Sequence, residues 1–459
     1  MIKQEKPIIR NHTYTLDIMS LGHSGEGVGK YDGFTVFVPH SLPGETVEVI
    51  ITEVKKSYAK GKLKAFITSS PARCQPKCPI YDQCGGCQLQ HVAYHEQLVL
   101  KRQIVIDAVT RIGKLNDVVV HPTIGADDPW YYRNKMQFPI GTVNGKIAVG
   151  CFAQGTHNII NTKHCFIQHE ANNTIAQAVQ EIITKLGIST YDEGTGLGVM
   201  RHVVGRVGTA TEEVMVVLVT AAPELPYKER IIAHLRQRVP NLVSIVQNIN
   251  SNRTNVILGN RTKTLWGQDT ISDTLGEFTF HISPRSFFQV NTKQAEVLYN
   301  KAVEYAGLSG KETVIDAYCG TGTISLFLAR QAKQVYGIEI VEPAILNARH
   351  NARTNQINNA EFTVGDAVEV MPQMFKQGIR PDTIVVDPPR AGCDRRVLET
   401  FAAMQAERIV YVSCNPSSLA RDLAVLEEHG YKTKEIQPVD MFSHTYHVEC
   451  VALIQRRTM

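Results

Sequence analysis

No apolar run in this 459-residue chain approaches the length needed to cross a bilayer, so no membrane partner is expected. The opening residues, Met1-Ile2-Lys3-Gln4-Glu5-Lys6-Pro7, lack the apolar core of a secretory signal, and a cytoplasmic location is the expectation. Internal repeats and low-complexity tracts are missing, which predicts order nearly throughout. Coiled-coil heptads are missing too, leaving a monomer with no obligate protein partner. A strong charge of either sign is also lacking. A net +4 permits nucleic-acid binding only through local basic patches. What is present is 43% hydrophobic residues, enough for two or three domains with cores of their own. Ten cysteines in a reducing compartment point to metal binding or catalysis rather than disulfides.

Cys414 stands in Ser413-Cys414-Asn415-Pro416, directly after Ile409-Val410-Tyr411-Val412, which reads as a buried strand of an α/β domain. Open α/β sheets form their ligand crevice at the carboxyl ends of strands, so this thiol is aimed at a substrate cleft. Upstream, Thr313-Val314-Ile315-Asp316 leads into Ala317-Tyr318-Cys319-Gly320-Thr321-Gly322-Thr323 and then a helical pattern over Ile324–Ala329. Strand, glycine turn and helix make a nucleotide-binding unit. The third glycine of the dinucleotide fingerprint is absent, and no pyrophosphate seat follows.

A second strand, Val335-Tyr336-Gly337-Ile338, ends in Glu339, whose carboxylate can accept hydrogen bonds from both ribose hydroxyls of an adenosine ligand. Acidic residues recur at strand ends as Asp366, after Phe362-Thr363-Val364-Gly365, and as Asp387, after Ile384-Val385-Val386. This spacing favours S-adenosylmethionine over a dehydrogenase cofactor. Asp387 opens Asp387-Pro388-Pro389-Arg390, where two prolines hold the loop rigid and fix the carboxylate at the cleft mouth, able to read a base edge. Enzymes that methylate exocyclic amines place an aromatic after a comparable D-P-P. Arg390 follows here, which disfavours amine methylation, although such a loop can also merely end a strand.

Carbon methylation explains the thiol. C5 of a pyrimidine is too weak a nucleophile to take a sulfonium methyl unaided, and thiolate addition at C6 makes it enolate-like. A base must then remove the C5 proton. Glu449 lies within the otherwise apolar stretch around Val448-Glu449-Cys450-Val451-Ala452, where a lone carboxylate is costly unless it has a task and where burial raises its pKa into the general-base range. A salt-bridged edge position is the competing reading.

With Ser413-Cys414-Asn415-Pro416, His447-Val448-Glu449, Asp316 to Gly322, Asp387-Pro388-Pro389-Arg390 and Ser283-Pro284-Arg285-Ser286-Phe287-Phe288-Gln289-Val290-Asn291, the chain resembles the RNA uracil-5 methyltransferase family over almost its whole length. The resemblance implies Cys414 as nucleophile and Glu449 as proton acceptor. It implies that Gln289, Tyr318, Gly320, Glu339 and Asp387 line the methionine and uracil pocket, with Asp366 near the adenine. Tyr318 replaces a frequent phenylalanine, and Asp366 also departs from the family pattern.

Cys74, Cys78, Cys84 and Cys87 cluster in sequence, the last three as C-x5-C-G-G-C. Thiolates suit zinc or iron. All four clustered cysteines fit a tetrahedral zinc site, whereas three of them with one distant cysteine fit an iron–sulfur cube. The resemblance implies the second arrangement, a [4Fe-4S] cluster on Cys78, Cys84, Cys87 and Cys165, leaving Cys74 extra and Cys151 in the core. Methyl transfer from a sulfonium needs no electron, so a structural role is expected.

Short alternating strands within 11–69 predict a small OB-like barrel resembling a TRAM domain, with Lys55, Lys56, Lys60, Lys62 and Lys64 around Tyr58 offered to RNA phosphates and bases. These lysines also suit a solvated strand edge. The expected architecture is α/β: a barrel over 1–69, a central α/β RNA-binding region over 70–278 carrying the cysteines, and a Rossmann-like methyltransferase domain over 279–459. Arg133 and Lys135, and the run from Gly196 to His202, are candidate RNA contacts.

The joint presence of barrel and cysteine motif points to C5 of uridine in 23S ribosomal RNA, at one site or two, since transfer-RNA relatives usually lack both. The alternatives are a tRNA uracil-5 methyltransferase, an RNA cytosine-5 methyltransferase using Cys393 and a ribosome-assembly factor that only binds RNA. The presence of Cys414 with Glu449 argues against the last.

Overall fold

The computed structural model describes residues 7–457. Residues 1–6, on which the location expectation partly rests, lie outside them. Among the described residues no helix is long and apolar enough to cross a membrane.

Alternation of apolar and polar residues closes the first five strands, Thr13–Leu21, Gly27–Tyr31, Phe34–Val38, Thr46–Val54 and Tyr58–Thr68, into a barrel. Leu16, Ile18, Val36, Val38, Val47, Val49 and Ile51 fill it. Gly61 is required there, because a Cβ at that position would stand 2.0 Å from Val49 Cγ1.

The central sheet has seven strands, in the order Arg261–Gly267, Leu242–Ile249, Val214–Thr220, Met200–Val207, Lys135–Val143, Lys146–Phe152 and Ile159–Asn161. Helices Glu170–Leu186 and Lys228–Arg238 cover one face, sharing a core with Phe138, Val203 and Val216. The other face presents Val204, Met215, Val217 and Val219 to the catalytic domain, so these two bodies share one core.

The catalytic sheet has eight strands, in the order Ala360–Val364, Gln334–Glu339, Thr313–Ala317, Thr383–Val386, Arg408–Ser413, Glu449–Arg456, Tyr431–Val439 and Val119–Val120. The first five are mutually parallel, and Glu449–Arg456 runs antiparallel between its neighbours. The chain winds outward from Thr313–Ala317 in one direction, then restarts on its other side with Thr383–Val386. The crevice opens at that switch point. The eighth strand, Val119–Val120, pairs with Tyr431–Val439, and helix Tyr94–Arg111 packs on helix Pro416–Glu428. This segment therefore joins the catalytic body, although sequence reading assigned it to the central region; two residues of edge strand carry no sequence signal.

Helix Tyr94–Arg111 brings Lys101, wholly buried, onto the equally buried Asp440. Lys101 Nζ also donates to Phe442 O at 3.0 Å. Asp440 Oδ2 accepts Tyr94 Oη at 2.7 Å and Ser443 Oγ at 2.8 Å. Removing one partner strands the other charge in the core, so Lys101→Met should destabilise the chain by about 3–5 kcal/mol. Lys101→Met/Asp440→Leu should recover most of that loss. Denaturant melts of the two variants check this; equal losses would show that the pairing is not what matters.

Candidate active site

The sheet's carboxyl ends open on a cavity of about 980 Å³. One end is the turn after Thr313–Ala317. Tyr318, Gly320 and Gly322 all take left-handed φ, of 69°, 54° and 79°. Gly322 must be glycine, since a Cβ there would meet Ala348 and Phe362 at 3.0 Å, whereas beside Gly320 no atom stands within 4 Å of that position. Gly320 therefore faces open space, a cradle that a ligand can fill. Glu339 is held across it, Oε2 accepting from Gly320 N at 3.3 Å and Oε1 from Val341 N at 2.9 Å. Asp316 Oδ2 accepts Ser325 Oγ at 2.5 Å, while its Oδ1 is buried without a partner at the cavity wall. An orphaned carboxylate oxygen, an open glycine turn and a carboxylate placed for ribose hydroxyls fit the amino-acid and nucleoside parts of S-adenosylmethionine.

The other end holds the reacting groups. Cys414 lies between strand Arg408–Ser413 and helix Pro416–Glu428, which Asn415 caps by accepting from Ser417 N at 3.1 Å. A thiolate there feels the positive end of the helix. Asn415 Nδ2 also donates to Arg390 O at 3.0 Å, tying the cysteine loop to the Asp387-Pro388-Pro389-Arg390 loop. Cys414, Asp387, Arg390 and Glu449 line one wall region of the same cavity. Burial pushes Glu449 up to about 8, with Asp387 adding repulsion and Arg390 opposing. Burial likewise lifts Asp387 to about 6 and Asp316 to about 7, the latter helped by Asp387 and Glu339. The Cys414 thiol rises to about 11 through burial and the facing Glu449 and Asp387, partly offset by Arg390. The site is an acid-rich pocket awaiting a cation.

Gln289, Tyr318, Gly320, Glu339 and Asp387 all line this cavity. Asp366 does not line it. It is exposed and caps helix Ala367–Lys376 by accepting from Val368 N at 3.0 Å. Cys393 is buried in the core behind the cleft, where its N–H donates to Asp422 Oδ2, so it offers no nucleophile. Arg133 reaches the cavity; Lys135 is largely buried, and burial with Arg206 and Arg133 lowers it to about 8. On the barrel, Lys55 and Lys60 pair with Glu53 and Lys64 with Glu48, and Tyr58 sets an edge against Phe37. Sequence reasoning passed over Tyr299, which lines the cavity with Gln289, because its helical spacing reads as core. It also passed over Phe442, Thr445 and the side chain of His447 at the wall.

Cys78, Cys84, Cys87 and Cys165, with Cys151, line the far part of the same cavity. The thiols converge: Cys87 is pushed up to about 12, first by burial and then by Cys165, Cys84 and Cys78. Among the described residues, however, no group of three or more His, Cys, Asp or Glu forms a metal-holding set. The expected four-cysteine cage is thus not drawn together: the Cys84 thiol stands beside Cys151 and accepts from Gly86 N at 3.4 Å. Cys74 lies outside the cavity wall, its Sγ on Gln90 O at 3.4 Å. Lys77, next to Cys78, sits 5.0 Å from the Trp130 ring centre and 4.9 Å from that of Phe166, next to Cys165. This cation–π clamp joins the two halves of the cysteine region. In donor type these cysteines suit an iron–sulfur group, but their placement among the described residues does not form a set that holds one.

The family model for tRNA (uracil-5-)-methyltransferases matches residues 121–457, and the TRAM domain model matches 10–64. An RNA methyltransferase of Halalkalibacterium halodurans is 51% identical over 455 residues, 99% of each chain. One from Clostridium tetani is 52% identical over 453 residues, 99% of this chain and 98% of the other. The crystal structure of Pyrococcus abyssi tRNA (uracil-54, C5)-methyltransferase with S-adenosyl-L-homocysteine superposes with a TM-score of 0.77 at 31% identity, covering 96% of this chain and 100% of that one. A closed barrel before a methyltransferase sheet, and a cavity pairing a glycine cradle with a thiol and a buried acid, agree with these likenesses: the chain belongs to the uracil-5 RNA methyltransferase family and is an S-adenosylmethionine-dependent RNA methyltransferase with a TRAM domain.

Proposed function

We propose that this enzyme methylates C5 of uridine in 23S ribosomal RNA through a covalent adduct. The observation that carries the chemistry is the thiol of Cys414 and the buried acid of Glu449 lining one cavity with the cofactor cradle. S-adenosylmethionine supplies the methyl group on a sulfonium. Cys414 gives its thiol proton to solvent and adds as the thiolate to C6, the electron pair of the C5–C6 bond moves to C5, and C5 takes the methyl. Glu449 then accepts the C5 proton, the C5–C6 double bond reforms, and the sulfur–carbon bond breaks. Asp387 is placed to read the polar edge of the base, and Arg390 to temper the negative charge around the sulfur.

The ribosomal substrate is supported by the barrel and the C-x5-C-G-G-C motif occurring together, with Cys78, Cys84, Cys87 and Cys165 holding a structural [4Fe-4S] cluster. The likeness to the P. abyssi enzyme favours a second reading, a transfer-RNA uridine. Mapping 5-methyluridine in ribosomal and transfer RNA from cells with and without the gene separates the two. A cytoplasmic location follows from either substrate.

Cys414→Ala should lower methyl transfer roughly 10⁴-fold or more while cofactor affinity stays near wild type. Glu449→Gln should still add and methylate but release roughly 10²–10⁴-fold more slowly, so a protein–RNA adduct accumulates on denaturing gels. Absence of any adduct would remove Glu449 from the base role.

Turnover should climb as pH rises through about 8 and continue to climb above it, because the reaction needs both the ionised Glu449 and the thiolate of Cys414. Stability runs the opposite way. Glu449, Asp316 and Asp387 bind protons more tightly folded than unfolded, so between the ordinary carboxylate range and about 8 the folded chain holds the extra protons, and ligand-free stability falls with rising pH. Thermal melts across that window check the slope, and Glu449→Gln should flatten it.

Anaerobically purified protein should be brown, with about four irons and four sulfides per chain. Colourless protein containing zinc would overturn the cluster.

A further inference from the structure

Beyond the catalytic cavity, the central sheet carries a second concavity, of about 470 Å³. It lies on the face that the catalytic domain covers elsewhere. His202 pairs across the sheet with Pro139, and Val204, on the same face two residues on, belongs to the core shared with that domain. The groove is therefore the uncovered continuation of the domain interface rather than a pit on the helical side.

Its walls are aromatic. Phe152 and His157 stack with ring centres 5.1 Å apart and planes 20° from parallel. Tyr191 lines the groove and carries the Arg201 guanidinium 4.3 Å from its ring centre. Arg201 is buried, anchored by Nη1 to Asn250 O at 2.6 Å and Asn252 O at 2.7 Å, and its Nε has no partner. At the rim, Arg253 bonds Thr195 O at 2.8 Å and so ties two loops that display Leu197, 72% exposed, and Val256, 63% exposed. Apolar residues displayed that fully beside an aromatic groove mark a surface built for contact.

The charges select the occupant. Asp192 and Glu193 lie in the wall and repel phosphate, Asp192 through the oxygen not held by Thr195 and Glu193 through the oxygen not facing His157, while the exposed Arg253 stands beside the groove on Thr195. A polyanion with flat, hydrogen-bonding side groups suits this layout: backbone at the rim, base within. We propose that this groove holds an unstacked nucleobase of the RNA substrate, one other than the methylated uridine. The inference rests on the enzyme acting on RNA. The base stacks on Tyr191 or the Phe152–His157 pair, and its amine edge meets Asp192 or Glu193.

Full-length protein and the methyl-accepting RNA, with 4-thiouridine placed singly outside the target position, test this. Photo-crosslinks should fall in the peptide spanning 191–202. Tyr191→Ala should raise both Kd and KM for RNA roughly ten- to a hundredfold with kcat unchanged, and Tyr191→Phe should restore them. Unchanged Kd and KM in Tyr191→Ala, with wild type methylating the same RNA, would overturn the groove assignment alone. If wild type transfers no methyl to any RNA uridine, the proposed function itself fails. A Tyr191→Ala loss that Tyr191→Phe does not repair, or crosslinks confined to other peptides, would also sink the assignment.

Discussion

A charge pair sealed in the core governs the shape of the active site. Lys101 and Asp440 have no exposed side-chain surface, and the segment that follows Asp440 forms one wall of the catalytic cavity. That segment has little regular structure of its own, so its position must be imposed by others. Asn291 donates to Met441 O at 3.0 Å and Gln294 to Asp440 O at 3.0 Å. Tyr132 reaches Ser443 O at 3.1 Å, and Gln97 Oε1 accepts His444 N at 3.0 Å. His444 adopts a left-handed φ of 67°, which a side-chain-bearing residue keeps only when its surroundings insist. Trp130 stacks on its ring, with centres 3.7 Å apart. Five residues later the chain enters its last strand at Glu449, so the carboxyl's aim is set by helices and loops from every part of the molecule.

The electrostatics follow from enclosing acids together. Asp316, Asp387 and Glu449 share a poorly hydrated cavity with a thiol, and Arg390 is the cation that tempers both Cys414 and Glu449. Such a pocket disfavours several negative charges at once, which is why each group holds its proton beyond its ordinary range. A ligand bearing a fixed positive charge relieves this crowding, and the same ligand stripped of that charge does not.

Much of this was readable from residues alone. Strand, glycine turn and terminal acid follow local periodicity and backbone rules, so Gly320, Glu339 and Asp387 landed where their sequence context placed them. Cys414 drew attention because a polar tetrapeptide directly follows an apolar strand, and Glu449 because an acid stands within an otherwise apolar stretch. Asp366 caps a helix, since an acid after a strand is equally a helix N-cap and local sequence does not separate the two uses. Lysines on the barrel looked like phosphate ligands; Glu53 pairs with its near neighbour Lys55, while Lys60 and Lys64 meet Glu53 and Glu48 across the strands, pairings that depend on register. Lys101 and Asp440 were invisible, being 339 residues apart. So was the edge strand that carries Val119 into the catalytic sheet.

Barrel, cysteine loop and catalytic wall meet at one point, and this junction explains how a remote RNA-binding module can matter to the chemistry. Gln88 and Leu89, just past Cys87, both donate to His444 O, at 3.0 and 2.9 Å. Gly25 of the barrel turns with φ of 81°, and a Cβ there would stand 3.1 Å from Tyr446 Cβ and 3.4 Å from Gln88 Cβ. The barrel's first turn therefore seats against the cysteine loop and the segment leading to Glu449 together. A side chain at Gly25 would have to push one of them away. A group that stiffens the cysteine loop consequently stiffens the catalytic wall through two backbone hydrogen bonds, without touching the substrate or passing an electron. On the proposed reading, this is the physical sense in which a cluster can be structural: it fixes the surface against which both the barrel and the base-abstracting strand are registered.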